Sequence, residues 1–179
     1  ILFTLLMVSI VTTTIYLNNN NSQDAMIINI AGKQRMLTQN ISKNIFYLYS
    51  NKTANQNELN ESIDEFIYNL STLKGENHLD KLKNSPNSKI DKQMIKVEYL
   101  WSNFLKDINL FKELLLDETK KDELKKVVEN IYNTNPILLY EVDSLVSLHT
   151  INSEQKINFL KYTQYFFAIL IVLLILYSF

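Results

Sequence analysis

Two uncharged, strongly apolar runs frame this chain: ILFTLLMVSIVTTTIYL at residues 1–17 and YTQYFFAILIVLLILYSF at residues 162–179. A helix needs about 20 apolar residues, within a range of about 17–25, to cross the hydrocarbon core of a bilayer, so each run is long enough to span one. Tyr16 at the inner edge of the first run, and Tyr162 and Tyr165 at that of the second, suit the interfacial level where tyrosine concentrates. A cleaved signal peptide is the alternative for the first run. It requires a small-residue cleavage site, and the stretch Asn18-Asn-Asn-Asn-Ser-Gln23 offers none. Two spans put both chain ends on one side of the membrane and the middle on the other. The expected organisation is therefore a transmembrane helix at 1–17, a helical domain close to the bilayer at 18–161 and a second transmembrane helix at 162–179.

Between the spans, the pattern predicts helix almost throughout. The whole chain holds only two glycines and two prolines, and no alternating β-branched runs are bounded by turn clusters. The first helix is expected to run from the membrane through about Tyr49, with Ile27, Ile30, Leu37, Ile41, Ile45 and Leu48 on one apolar face. A second, from about Glu58 to Leu73, places Leu59, Ile63, Phe66, Ile67 and Leu70 together. Gly75 weakens its end, and Asn84-Ser-Pro-Asn-Ser88 reads as a turn. A third, from about Ile90 to Leu116, buries Met94, Val97, Leu100, Trp101, Leu105, Ile108 and Leu115, with Phe104 and Phe111 beside Trp101 as core. The next begins near Thr119 and pauses at Asn133-Thr-Asn-Pro136. Proline breaks a helical ladder but suits a first turn, so the last helix is expected to start at Pro136 and run through Leu138, Val142, Leu145, Val146 and Leu148 into the second span. The fold class is all-α: an antiparallel, up-down bundle of four to five helices, the first and last continuous with the membrane helices.

Arg35 is the only arginine in a chain whose other basic residues are all lysine. Its guanidinium is planar, permanently charged and forked, matching a flat oxyanion where an ammonium is a hydrated point charge. Arg35 is thus the leading candidate for anion recognition, against the plain alternative of a surface side chain. Gly32 lies one turn earlier, and a glycine inside a helix costs about 0.5–1 kcal/mol relative to alanine, usually offset by close approach of a backbone or a ligand. Ala31, Arg35, Thr38 and Ser42 follow at helical spacing, a small and polar stripe. It suggests this helix facing a second copy across a two-fold axis, with both Arg35 side chains pointing inward.

The segment Asp24-Ala-x-x-Ile-Asn29-x-Ala-Gly32-x-x-Arg35-Met36 resembles the P-box of the nitrate/nitrite sensors of the NarX and NarQ type. The longer Asn29-x-Ala-Gly-Lys-Gln-Arg-Met-Leu-Thr-Gln39 resembles more closely the ligand-binding domain named after the PilJ pilus-associated chemotaxis transducers, usually written with Arg where this chain has Lys33. Asn135-Pro-Ile-Leu-Leu139, with Val142 and Val146, fits the second half of that domain less specifically. The resemblance implies a periplasmic, all-helical, dimerising sensor in the inner membrane of a bacterium. It implies an oxyanion such as nitrate or nitrite at the dimer interface, held by Arg35 with backbone at Gly32. Lys33, Asn29, Thr38 and Gln39 belong to the motif as possible supporting residues, Lys33 keeping the charge but losing the fork.

Other classes find little footing. His78 and His149 lack cysteine or paired carboxylates at ligand spacing, so no metal site is expected. With no cysteine, no glycine-rich phosphate loop and no histidine beside a credible acid, neither an enzyme nor a cofactor is expected. Net charge of −1 argues for no nucleic acid partner. The expected partners are a small oxyanion, a second copy and the membrane. The function expected is the input region of a transmembrane signalling receptor feeding a kinase, chemotaxis or cyclase output. The alternative is an assembly module without a small ligand, in which Arg35 makes an interchain salt bridge.

Overall fold

The computed structural model describes residues 2–52, 54–74 and 88–178. Every regular element among them is helical: α1 (Leu2–Ser50), α2 (Asn57–Lys74), α3 (Ser88–Leu114) and α4 (Lys121–Ser178), with one 3-10 turn at Glu118–Lys120. The all-α expectation holds. By contacts the chain forms two units, Ile1–Ile28 with His149–Phe179, and Asn29–Leu148.

Within Asn29–Leu148 a series of buried positions recurs at spacings of three and four residues, with one step of seven across Pro136. It runs through Ala31, Gln34, Thr38, Ile41, Ile45 and Leu48 on α1, and Leu59, Ile63, Phe66, Leu70 and Leu73 on α2. The series continues with Ile90, Met94, Val97, Trp101, Phe104, Ile108, Phe111 and Leu115 along and just past α3, and Leu124, Val128, Ile131, Leu138, Val142 and Leu145 on α4. This is the repeat of helices packed side by side with knobs in holes. Each fully buried large apolar side chain contributes about 1.5–3 kcal/mol. Phe66 and Trp101 stack with ring centroids 3.8 Å apart, joining α2 to α3. Gln34 on α1 donates to the Phe66 carbonyl on α2 at 2.9 Å. Between α3 and α4, the buried Glu141 accepts from Lys96 Nζ at 2.6 Å and Gln93 Nε2 at 2.8 Å. Burial pushes this carboxyl up, but those two donors and the Lys96 charge outweigh it and leave it below the usual carboxylate range. Phe46 on α1 lies 6.0 Å from Tyr132 on α4, centroid to centroid. The four helices thus contact one another in a closed ring.

In the other unit, Lys156 donates to both oxygens of the buried Asp24, at 2.7 and 3.0 Å, linking α4 to α1. His149 is buried nearby in sequence, and its Nε2 has no hydrogen-bond partner. Thr12, Thr14 and Thr163 turn their hydroxyls back onto carbonyls four residues earlier, at 2.8, 2.8 and 2.9 Å. Such bonds satisfy polar atoms within an apolar helix without help from water. Among the described residues, α4 carries a stretch long and apolar enough to cross a membrane, and α1 a shorter apolar stretch, Met7–Tyr16.

Pro136 does not start a helix: it lies inside the uninterrupted α4. A proline there forfeits the ladder bond to the Tyr132 carbonyl and costs about 3 kcal/mol. Leu138, Val142 and Leu145 continue the burial phase of Leu124, Val128 and Ile131, so three further buried side chains offset the loss. Thr134 Oγ1 also donates to the Asn130 carbonyl at 2.8 Å. Smaller corrections concern burial, since Ile67 is exposed, and Ile30, Leu100 and Leu105 are only half-buried. Gly75, His78 and the expected turn ahead of Ser88 lie outside the described residues.

Candidate functional site

Arg35 follows Gln34, a core position of α1, and so emerges beside the seam rather than within it. Gly32, Met36 and Gln39 share its side of the helix. On α4 the core residues Leu138 and Val142 place Leu139, Tyr140 and Asp143 on the flank facing them. Together with Asn40 and Pro136 these residues line an open cleft of about 670 Å³ between α1 and α4.

The cleft holds one cation and one anion among its lining residues, and they are paired. Arg35 Nη1 donates to Asp143 Oδ1 at 2.9 Å across 108 residues of sequence. Both side chains remain more than half exposed, at 61% and 51%. An ion pair so open to solvent contributes at most about 1 kcal/mol, so its carboxylate is readily exchanged for another. A carboxylate is itself a planar oxyanion. One oxygen of the Asp143 carboxylate occupies one nitrogen of the Arg35 guanidinium in this cleft.

Gly32 borders the same cleft, and a Cβ built there would meet nothing within 4 Å. Close packing inside the chain is therefore not what the glycine serves; its side of α1 is left open. Gln39 also lines the cleft. The other motif residues lie elsewhere. Lys33 pairs with Glu65 on α2. Asn29 is exposed and outside the cleft lining. Thr38 is fully buried and donates to the Gln34 carbonyl at 2.9 Å, a packing role.

The small stripe also divides. Ala31, Thr38 and Ser42 are buried in the chain's own bundle, whereas Arg35 is exposed, so these four do not share one outward face. Their spacing of four, three and four also fits the core seam, which Arg35 misses by one position. Asp143 and Tyr140 join the cleft without any mark in the sequence, while Met36 joins it as the neighbour of Arg35 in the motif. No sequence signal links Asp143 to a residue 108 positions away.

A family profile described as PilJ, type IV pili methyl-accepting chemotaxis transducer N-term, matches residues 16–129. No curated protein and no solved structure matches the chain.

Proposed function

The chain belongs to the PilJ family, the N-terminal region of type IV pili methyl-accepting chemotaxis transducers, and from that premise we propose that it is an extracytoplasmic sensor of small planar oxyanions. Nitrate and nitrite are inorganic members of that class, and carboxylates are organic ones. The observation that carries this reading is the Arg35–Asp143 pair, a carboxylate held through one hydrogen bond by the one arginine in the chain.

A diffusible anion replaces the Asp143 carboxylate on Arg35 and so exchanges a tie between α1 and α4 for a ligand contact. Residues 1–17 and 162–179 span the inner membrane of a bacterium in this arrangement, and 18–161 stand in the periplasm. The up-down course of the bundle is supported by pairs such as Lys74 with Glu98 and Asn60 with Lys112, whose numbers fall along α2 as they rise along α3. A ligand that prefers one of two placements of α1 against α4 shifts their population, and the same two helices carry the apolar stretches.

Two copies meet through the Gly32 side of α1, sharing one anion between two Arg35 side chains. The open space at Gly32 supports that approach. Arg35 has an ionic partner within its own chain, so the interchain salt bridge of a pure assembly module would have to displace Asp143 just as a diffusible anion does.

The test is calorimetry of the full chain in lipid nanodiscs against nitrate, nitrite and acetate. Binding of at least one of them, with one anion per two chains, is expected, and Arg35→Ala should abolish it without loss of helicity by circular dichroism. Equal binding by Arg35→Ala would overturn the assignment.

A further inference from the structure

The cleft is electrically balanced, and this bears on which oxyanion it takes. Its lining presents one positive and one negative side chain, Arg35 and Asp143, a single hydrogen bond apart and both open to solvent. A bare inorganic anion that displaces Asp143 from Arg35 leaves a carboxylate unpaired beside a new negative charge. That arrangement is repulsive; a second copy brings its own Asp143 along with its Arg35, so the balance is unchanged, and no lining residue adds a further cation.

We propose that the cleft binds a free α-amino acid, its carboxylate on Arg35 and its ammonium on Asp143. In an amino acid the two charged groups sit on one carbon, so their spacing matches that of two side chains already within hydrogen-bond reach. One exposed ion pair is exchanged for two, and neither protein charge is left unpaired. The inference rests on the reading of this cleft as the ligand site and names the ligand's chemical class.

The rest of the lining fits a side chain on the same carbon. Met36, Leu139 and Pro136 form an apolar wall, and the ring of Tyr140 adds to it. Met36 and Tyr140 are exposed, with relative accessibilities of 50% and 69%, and stand free to cover an apolar group. The cleft volume of about 670 Å³ falls in the ordinary range for small organic ligands and far exceeds the size of nitrate. An apolar amino acid is therefore favoured over a charged one, whose third charge would find no partner among the lining residues.

The experiment uses the full chain in nanodiscs and four probes: L-leucine, L-methionine, 4-methylpentanoate, which is leucine without its ammonium, and sodium nitrate. The parent is expected to bind leucine or methionine at least tenfold more tightly than 4-methylpentanoate. Asp143→Asn should erase that difference while leaving nitrate and 4-methylpentanoate bound as well or better, and Asp143→Glu should restore the preference. If Asp143→Asn leaves amino acid binding unchanged, or if the parent binds nitrate and neither amino acid, the proposal is overturned while the oxyanion site at Arg35 stands. If Arg35→Ala binds all four probes as the parent does, the site itself is wrong.

Discussion

Lysine at position 35 separates the shape of the cation from its charge. The charge survives, but the planar fork does not, so a flat anion held by two parallel bonds keeps only one. Each charge-assisted hydrogen bond contributes about 1.5–3 kcal/mol, and at about 1.4 kcal/mol per decade the loss of one weakens binding roughly 10- to 150-fold. Stability should respond quite differently. The Arg35–Asp143 pair is 61% and 51% exposed, so its net contribution stays below about 1 kcal/mol, and a lysine retains part of it. For a chain of this size that is a fall of at most about 2–4 °C in Tm. Calorimetry and thermal unfolding on one preparation of Arg35→Lys read both quantities. Anion affinity within twofold of the parent would refute the fork argument. A Tm lowered by more than about 10 °C would instead make Arg35 a structural tie, since a pair this exposed has no such contribution to lose.

At Gly32, a Cβ meets nothing within 4 Å in the chain and leucine gains about 1 kcal/mol of helix propensity, so Gly32→Leu should unfold at an equal or slightly higher Tm while chain-to-chain crosslinking near α1 and anion binding both decline. A clear loss of stability would mean that the position is packed after all. His149 has its imidazole pushed below the usual histidine range, first by burial, which the nearby Asp24 charge opposes and Lys156 reinforces. The neutral form is the one the fold favours, so this contribution is complete above the ordinary value of about 6.5 and is lost as pH falls through the lowered folded value. Thermal melts between pH 7.5 and 5 should show a steeper decline for the parent than for His149→Gln; identical slopes would rule out His149 as the source.

The bundle was legible because its code is local. The three-and-four spacing of apolar residues along α2, α3 and α4 is written in the sequence, and the helices follow it. Pro136 sits inside α4 because the phase of the buried series outweighs the local cost of a proline. Ile131 and Leu138 stand seven residues apart, two full turns, so the seam crosses Pro136 without a shift. A new helix starting there would have had no reason to keep that register. Phase continuity across a proline was therefore the available signal, and it outweighed the missing hydrogen bond.

The site was half legible for a related reason. Arg35 stands out through composition and motif, but polarity is a poor guide to its neighbours on the helix. Gln34 and Thr38 are polar and yet occupy core positions, where their donors reach the Phe66 and Gln34 carbonyls. Treating them as core turns the whole frame of α1 by one residue. Ala31, Thr38 and Ser42 then face inward, and Arg35 faces α4. What it meets there lies beyond any local rule, because Asp143 sits between Val142 and Ser144 like any solvated acid on a helix flank. Only the packing of α1 against α4 makes that carboxylate a partner. Under the proposed oxyanion reading, the same packing would couple ligand to fold: a charge that recognised an anion from α1 alone could bind without moving anything, whereas one already tied to α4 must release that tie to bind.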